Sequence, residues 1–210
     1  MLPLLYQGQW AVFTLLIIAL VLSLSSHEFG HAAAAKWQGD DTAAEQGRLT
    51  INPSAHIDPL GLLMVVLVGF GFARPVPVDL SRMKSRWSNL YVSAAGPFMN
   101  LLLAIVSWNV LIWLNQSGQA TPGMELFFGI LAQINLLLML FNLMPIGPLD
   151  GHHIVATLLP ANLRAPYLVN NARYGTLLLL GFVVASIAGL PVFQRLFEFA
   201  QGLLPYITFL

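Results

Sequence analysis

Four stretches of this chain are long and apolar enough to cross a lipid bilayer, which limits the fold to a bundle of membrane helices. They cover about residues 10–36, 88–114, 124–145 and 174–193. Each meets the roughly 20 apolar residues that a hydrocarbon layer of about 30 Å requires. Inside that layer a backbone amide finds no water, so a span of this kind closes its own hydrogen bonds as an α-helix. The expected fold is therefore all-α and polytopic, a single domain over residues 1–210, with a C-terminal helix and tail in 165–210. Charged residues make up only 9% of the chain, against about 25% in soluble domains. Nine basic and nine acidic residues cancel, and no basic run points to nucleic acid. The first apolar run reads as a retained helix rather than a cleaved signal, because residues 1–10 contain no Lys or Arg.

A fifth apolar run, residues 60–73, is short for a crossing and is interrupted by Gly69 and Gly71. It reads as a re-entrant element packed against protein. It leads into an extended edge segment at 72–78, whose Pro75 and Pro77 suit a sheet edge. Such an edge offers a place for an unwound peptide to add as a strand. Six basic residues, Lys36, Arg48, Arg74, Arg82, Lys84 and Arg86, fall between the first and second long helices. Lys and Arg are enriched in cytoplasmic loops, and all six lie on the cytosolic side if the fifth run returns to the face it entered. The same topology places the end of the first helix and the end of the third at one depth. A multi-pass inner-membrane protein is expected, with its working site toward the cytosol. The tail from Gln194 reads as an interfacial helix, and Trp108 and Trp113 as interface-belt residues.

Three costly ionisable groups sit near the end of the first run, in His27-Glu28-Phe29-Gly30-His31. Residues i and i+4 share one helix face, so both imidazoles are able to grip one ion. The carboxylate between them is placed to take a proton from water that the ion activates. Cysteine is absent, so His, Asp or Glu must complete the site. The candidates are His56, Asp58, Asp150, His152 and His153, with Glu125 at the opposite face. Asp150 follows Pro145 and Pro148 and precedes Gly151, a setting that ends a helix and permits a sharp turn.

With these residues in view, the chain resembles the site-2 protease family of intramembrane zinc metalloproteases. The string HEFGH at 27–31 is similar to its HExxH, and NLMPIGPLDG at 142–151 to its NxxP followed by Asp-Gly. Gly96 to Asn100 looks like its GxxxN element, and the strings at 47–61 and 71–78 resemble a compact bacterial branch without PDZ or CBS domains. The matched motifs run in order from about 20 to 160. The resemblance implies one zinc ion on His27, His31 and Asp150, with Glu28 as general base. It also implies Asn100 or Asn142 as an amide donor to the oxyanion or the substrate backbone. The implied activity is zinc-dependent endoproteolysis in or near a transmembrane segment of another membrane protein, within regulated intramembrane proteolysis. His152 and His153 depart from the family pattern and stand as competing ligands. The rival reading is a non-proteolytic metal-binding membrane protein, a transporter or an inactive scaffold. Intact Glu28 argues against a scaffold. The outer helix halves offer little polar lining beyond Asn109 and Gln133 for a transporter.

Overall fold

The computed structural model describes residues 1–69 and 71–210. The chain forms α1 (Leu2–Tyr6), α2 (Trp10–Trp37), α3 (Thr42–Glu45), α4 (Pro53–His56) and α5 (Pro59–Val68). It continues with α6 (Ser88–Gln116), α7 (Pro122–Asn142), α8 (Asp150–Leu158), α9 (Ala161–Ile187) and α10 (Val192–Leu203). Helices α2, α6, α7 and α9 are long and apolar enough to span a membrane, as the apolar runs predict. Among the described residues there is no β-strand, only one antiparallel bridge between Ile57 and Ala73. Helix α9 starts thirteen residues before its apolar run. Hydropathy marks the lipid-compatible part of a helix, and the polar turns around Arg164 and Asn171 lie outside that part. Gly189, at a φ of 94°, and Pro191 then end the helix before residue 193.

Helix α6 lies centrally and packs on α2, α7 and α8, whereas α9 contacts only α8 and α10 to any extent. Small residues set the spacing. Ala19, Ala32, Ala35, Ala104 and Ala132 are fully buried, which lets backbones approach where lipid supplies no hydrophobic drive. At Gly30 a Cβ would stand 2.6 Å from Met99 Cγ and 2.7 Å from the Ala95 carbonyl oxygen. Helices α2 and α6 therefore touch beside the HExxH residues.

The C-terminal tail packs one face on the bundle. Ala200, Leu204 and Ile207 join Ala104, Ala132, Leu136 and Met139 in the main core. The tail is tied to α6 through Trp108 Nε1, which donates to Thr208 Oγ1 at 2.9 Å. Asn109 donates to the Ile207 carbonyl and accepts from Phe209 N–H, each at 2.8 Å. Trp108 and Asn109 thus tie the tail to α6.

Helix α5 has ten residues, about 15 Å at 1.5 Å per residue, half the hydrocarbon thickness. Gly69 caps it with φ 82°, and the chain returns. A Cβ on Gly61 would overlap the Phe72 carbonyl, and one on Gly71 would overlap the Gly61 carbonyl. The Ile57–Ala73 bridge, with Arg74 N–H on the His56 carbonyl at 2.8 Å, joins the entry to the exit. The expected re-entrant element at 60–73 thus begins and ends at one level, although its residue 70 lies outside the described residues.

The segment that follows is no free edge. Asp40, fully buried, accepts from Thr42 N–H at 3.0 Å, Thr42 Oγ1 at 2.5 Å and Asp79 N–H at 2.7 Å. Burial acts to raise the Asp40 carboxyl, but these donors and Arg82 outweigh it and hold it below its ordinary value. A lowered folded value contributes stability above the unfolded value of about 3.9, lost as pH falls through the folded one. Hydrogen exchange at the Asp79 amide is therefore expected to lose protection below about pH 4. Asp40→Asn should remove that acid step.

Candidate metal centre

Helix α2 carries His27, Glu28 and His31 about 9 to 15 Å from its C-terminal end, at about 1.5 Å per residue. The imidazoles are oriented from behind. His27 Nδ1 lies 2.6 Å from Asn100 Oδ1, and His31 Nδ1 lies 2.8 Å from the Val92 carbonyl oxygen. Both partners are acceptors, so each Nδ1 carries the proton and each Nε2 presents a lone pair. Pro97 lacks the amide hydrogen that would bond the Ser93 carbonyl, loosening this turn of α6 beside Val92.

The Asn100 orientation is set by its own partners. Its Nδ2 donates to Asn135 Oδ1 at 2.8 Å and to the Ser23 carbonyl at 3.3 Å. Asn135 Nδ2 donates to Ser23 Oγ at 2.8 Å and the Leu131 carbonyl at 2.7 Å, and Ser23 Oγ donates to the Ala19 carbonyl at 2.6 Å. Ser23, Asn100 and Asn135 are all fully buried. A closed polar network at this depth rigidifies the helices that share it. It also spends both amide hydrogens of Asn100, which stands behind His27 with no donor left for an oxyanion.

Asp150 opens α8. The loop before it is held by Asn171 Oδ1, which accepts from Gly147 N–H at 2.8 Å. A Cβ on Gly151 would overlap the Leu143 and Met144 carbonyls, so only glycine lets α8 start this close under α7. Asp150 Oδ2 lies 3.2 Å from His27 Nε2 and Oδ1 3.4 Å from His31 Nε2, and the two Nε2 atoms are 3.0 Å apart. Oδ2 is buried without a hydrogen bond. Lone pairs converge here with no proton to share, and a cation is what satisfies them. A tetrahedral zinc with bonds of about 2.0–2.1 Å separates its ligands by roughly 3.3 Å, so the donor set and spacing fit zinc. Among the described residues, His27, His31 and Asp150 are the group able to hold a metal.

Gly96 forms the wall on the α6 side. A Cβ there would overlap His31 Nε2 and stand 2.6 Å from His31 Cε1 and 2.7 Å from His27 Cε1. Glu28 is 8% exposed, and its Oε2 accepts from Val76 N–H at 3.0 Å.

The other candidates lie elsewhere. His56 is fully buried with Nε2 on the Thr50 carbonyl at 2.7 Å, and Asp58 caps α5 through Leu60 and Gly61 N–H. The rings of His152 and His153 meet tilted, centroids 3.9 Å apart, with His152 toward Tyr167, and neither joins the triad. Glu125 lies in the first turn of α7, at the end remote from Asn142. Asn142 Nδ2 donates to the Leu138 carbonyl at 3.0 Å, which leaves one amide hydrogen unspent. Sequence reasoning passed over Asn135, although a buried amide inside an apolar span carries the same cost signal as the histidines. The Val92 carbonyl and the Val76 amide had no signal, since every residue type but proline carries both groups.

The family model described as Peptidase family M50 matches residues 15–186. YwhC of Bacillus subtilis is 44% identical over 156 residues, covering 71% of each chain. Rip2 of Mycolicibacterium smegmatis is 36% identical over 159 residues, and Rip2 of Mycobacterium tuberculosis 33% over 155. Both Rip2 matches cover 71% of this chain and 58% of the relative. All three names provisionally designate zinc metalloproteases. No solved structure matches at a significant level.

Proposed function

This chain belongs to peptidase family M50, the site-2 protease family, and is a membrane zinc metalloendopeptidase; on that premise we propose that it cuts a peptide bond in or near a transmembrane segment of another membrane protein. The observation that carries this reading is the depth of the site. Its two histidines lie inside a spanning helix, walled by a second spanning helix at Gly96, so the scissile bond must be brought to that level. The cytosolic placement rests on the six basic residues between α2 and α6.

In the proposed reaction His27, His31 and Asp150 hold zinc. When bound, zinc supplies Lewis acidity, making water acidic enough to ionise near neutral pH and polarising the peptide carbonyl. Asn100 and the Val92 carbonyl keep the imidazoles in the tautomer that offers Nε2. Glu28, with Oε2 held by Val76 N–H, takes the water proton at Oε1 as oxygen adds to the carbonyl carbon. It returns that proton to the amide nitrogen as the C–N bond breaks. Asn142, with its unspent amide hydrogen, is the asparagine left to steady the oxyanion or the substrate backbone. The strap at 72–78 already spends Arg74 and Val76 N–H on His56 and Glu28, so strand addition there would rely on its remaining groups.

Glu28→Gln is the test. Wild type and variant, purified in detergent, are expected to bind equal zinc. The variant should cleave a single-span substrate about 10²- to 10⁴-fold more slowly, the usual contribution of a general base. The wild-type cut should map within or beside the apolar span. Equal activity in both proteins would remove Glu28 from the reaction, and a cut far from the span would overturn the intramembrane reading.

A further inference from the structure

Arg48, in the loop between α3 and α4, is 7% exposed and makes no ion pair among the described residues. The Glu28 carboxylate acts on it electrostatically from beyond ion-pair distance, and burying a guanidinium without a paired carboxylate is costly, so its placement calls for a reason other than stability. Nη2 alone donates to the Arg74 carbonyl at 2.6 Å and the Pro75 carbonyl at 3.2 Å, a grip on successive carbonyls through one nitrogen. The next residue, Val76, gives its N–H to Glu28. Pro75 and Pro77 on either side have no amide hydrogen, so Val76 N–H is the one donor that 75–77 can offer. Arg74 N–H on His56 and Asp79 N–H on Asp40 fix the strap on both sides.

We propose that Arg48 is a positioning residue for proteolysis: by gripping the Arg74 and Pro75 carbonyls it sets Val76 N–H against one oxygen of Glu28 and so aims the other at the reacting water. The inference rests on the reading of Glu28 as general base.

The test uses the full zinc-loaded chain in detergent with a single-span substrate. Val76→Pro removes the amide hydrogen between two existing prolines, and Val76→Ala keeps it. Arg48→Met removes the donors, and Arg48→Lys restores one. Val76→Pro and Arg48→Met are expected to lower kcat about 10- to 100-fold, as loss of a group supporting a ligand does. Zinc content and KM should be nearly unchanged, Arg48→Lys should recover part of the loss, and Val76→Ala, which keeps the amide hydrogen, should lose far less kcat than Val76→Pro. Since both act through one contact, the double variant Arg48→Met/Val76→Pro should be no slower than the slower single variant. Wild-type kcat in Arg48→Met, a loss carried by KM or zinc content, or multiplicative losses in the double variant would each overturn the proposal. Were Arg48→Met unable to fold, Val76→Pro with wild-type kcat would overturn it alone. An active Glu28→Gln enzyme would sink the base itself, whereas an inactive one beside a fully active Arg48→Met would sink only the role of Arg48.

Discussion

Asp150→Ala is expected to lose bound zinc and proteolytic activity together, with activity falling by more than about 100-fold, the upper end for groups that only support a ligand. A catalytic zinc relies on about three protein ligands, and Asp150 brings the negative charge of this set. The remaining pair, His27 and His31, comes from one helix and holds an ion from one side only. Asp150→Asn keeps the shape and removes the charge, so it should fall between wild type and alanine. Metal content after dialysis at low free zinc, measured beside single-span substrate cleavage, reads both effects. Retained zinc with full activity in Asp150→Ala would mean that another group, with His152 or His153 first in line, completes the site.

A loss as large is expected from Gly96→Ala, on a helix that supplies no ligand. The added methyl would overlap His31 Nε2 and stand 2.7 Å from His27 Cε1, where carbon contacts prefer about 3.5–4.0 Å. Both imidazoles cannot yield without leaving Asn100 and Val92, so zinc content and activity should fall together. Gly181→Ala in α9 is the control. Its Cβ would meet nothing within 4 Å, and alanine is the better helix former by about 1 kcal/mol. That variant should be as active as wild type and at least as stable in a thermal melt. Wild-type zinc content in Gly96→Ala would show that α6 stands farther from the site than the structure places it.

Gly96 also shows where sequence reasoning stopped. In sequence it reads as a residue that lets helices pack closely, which is true of many membrane glycines. What it packs against, two imidazoles rather than a neighbouring backbone, follows only from the crossing of α2 and α6. Asn100 is similar. Its place in GxxxN marks it as special, yet its partners come from two other helices, His27 and Ser23 from α2 and Asn135 from α7. The re-entrant run was legible because its length and its two glycines are local facts. The packing of the tail was not legible, because an amphipathic helix looks alike whether its apolar face meets lipid or the core around Leu136.

Local order along the chain was enough to determine the spanning helices and the pairing of His27 with His31 about Glu28. A run of apolar residues and a spacing of four have the same meaning wherever the helix is placed. Only the tertiary structure decided that Asp150 comes within 3.4 Å of both imidazoles, that Val92 and Asn100 stand behind their Nδ1 atoms, and that Val76 N–H reaches Glu28 next to the carbonyls Arg48 bonds. The physical reason is that these contacts join segments far apart in sequence, and several use backbone amides and carbonyls, which nearly every residue carries and no residue letter reveals.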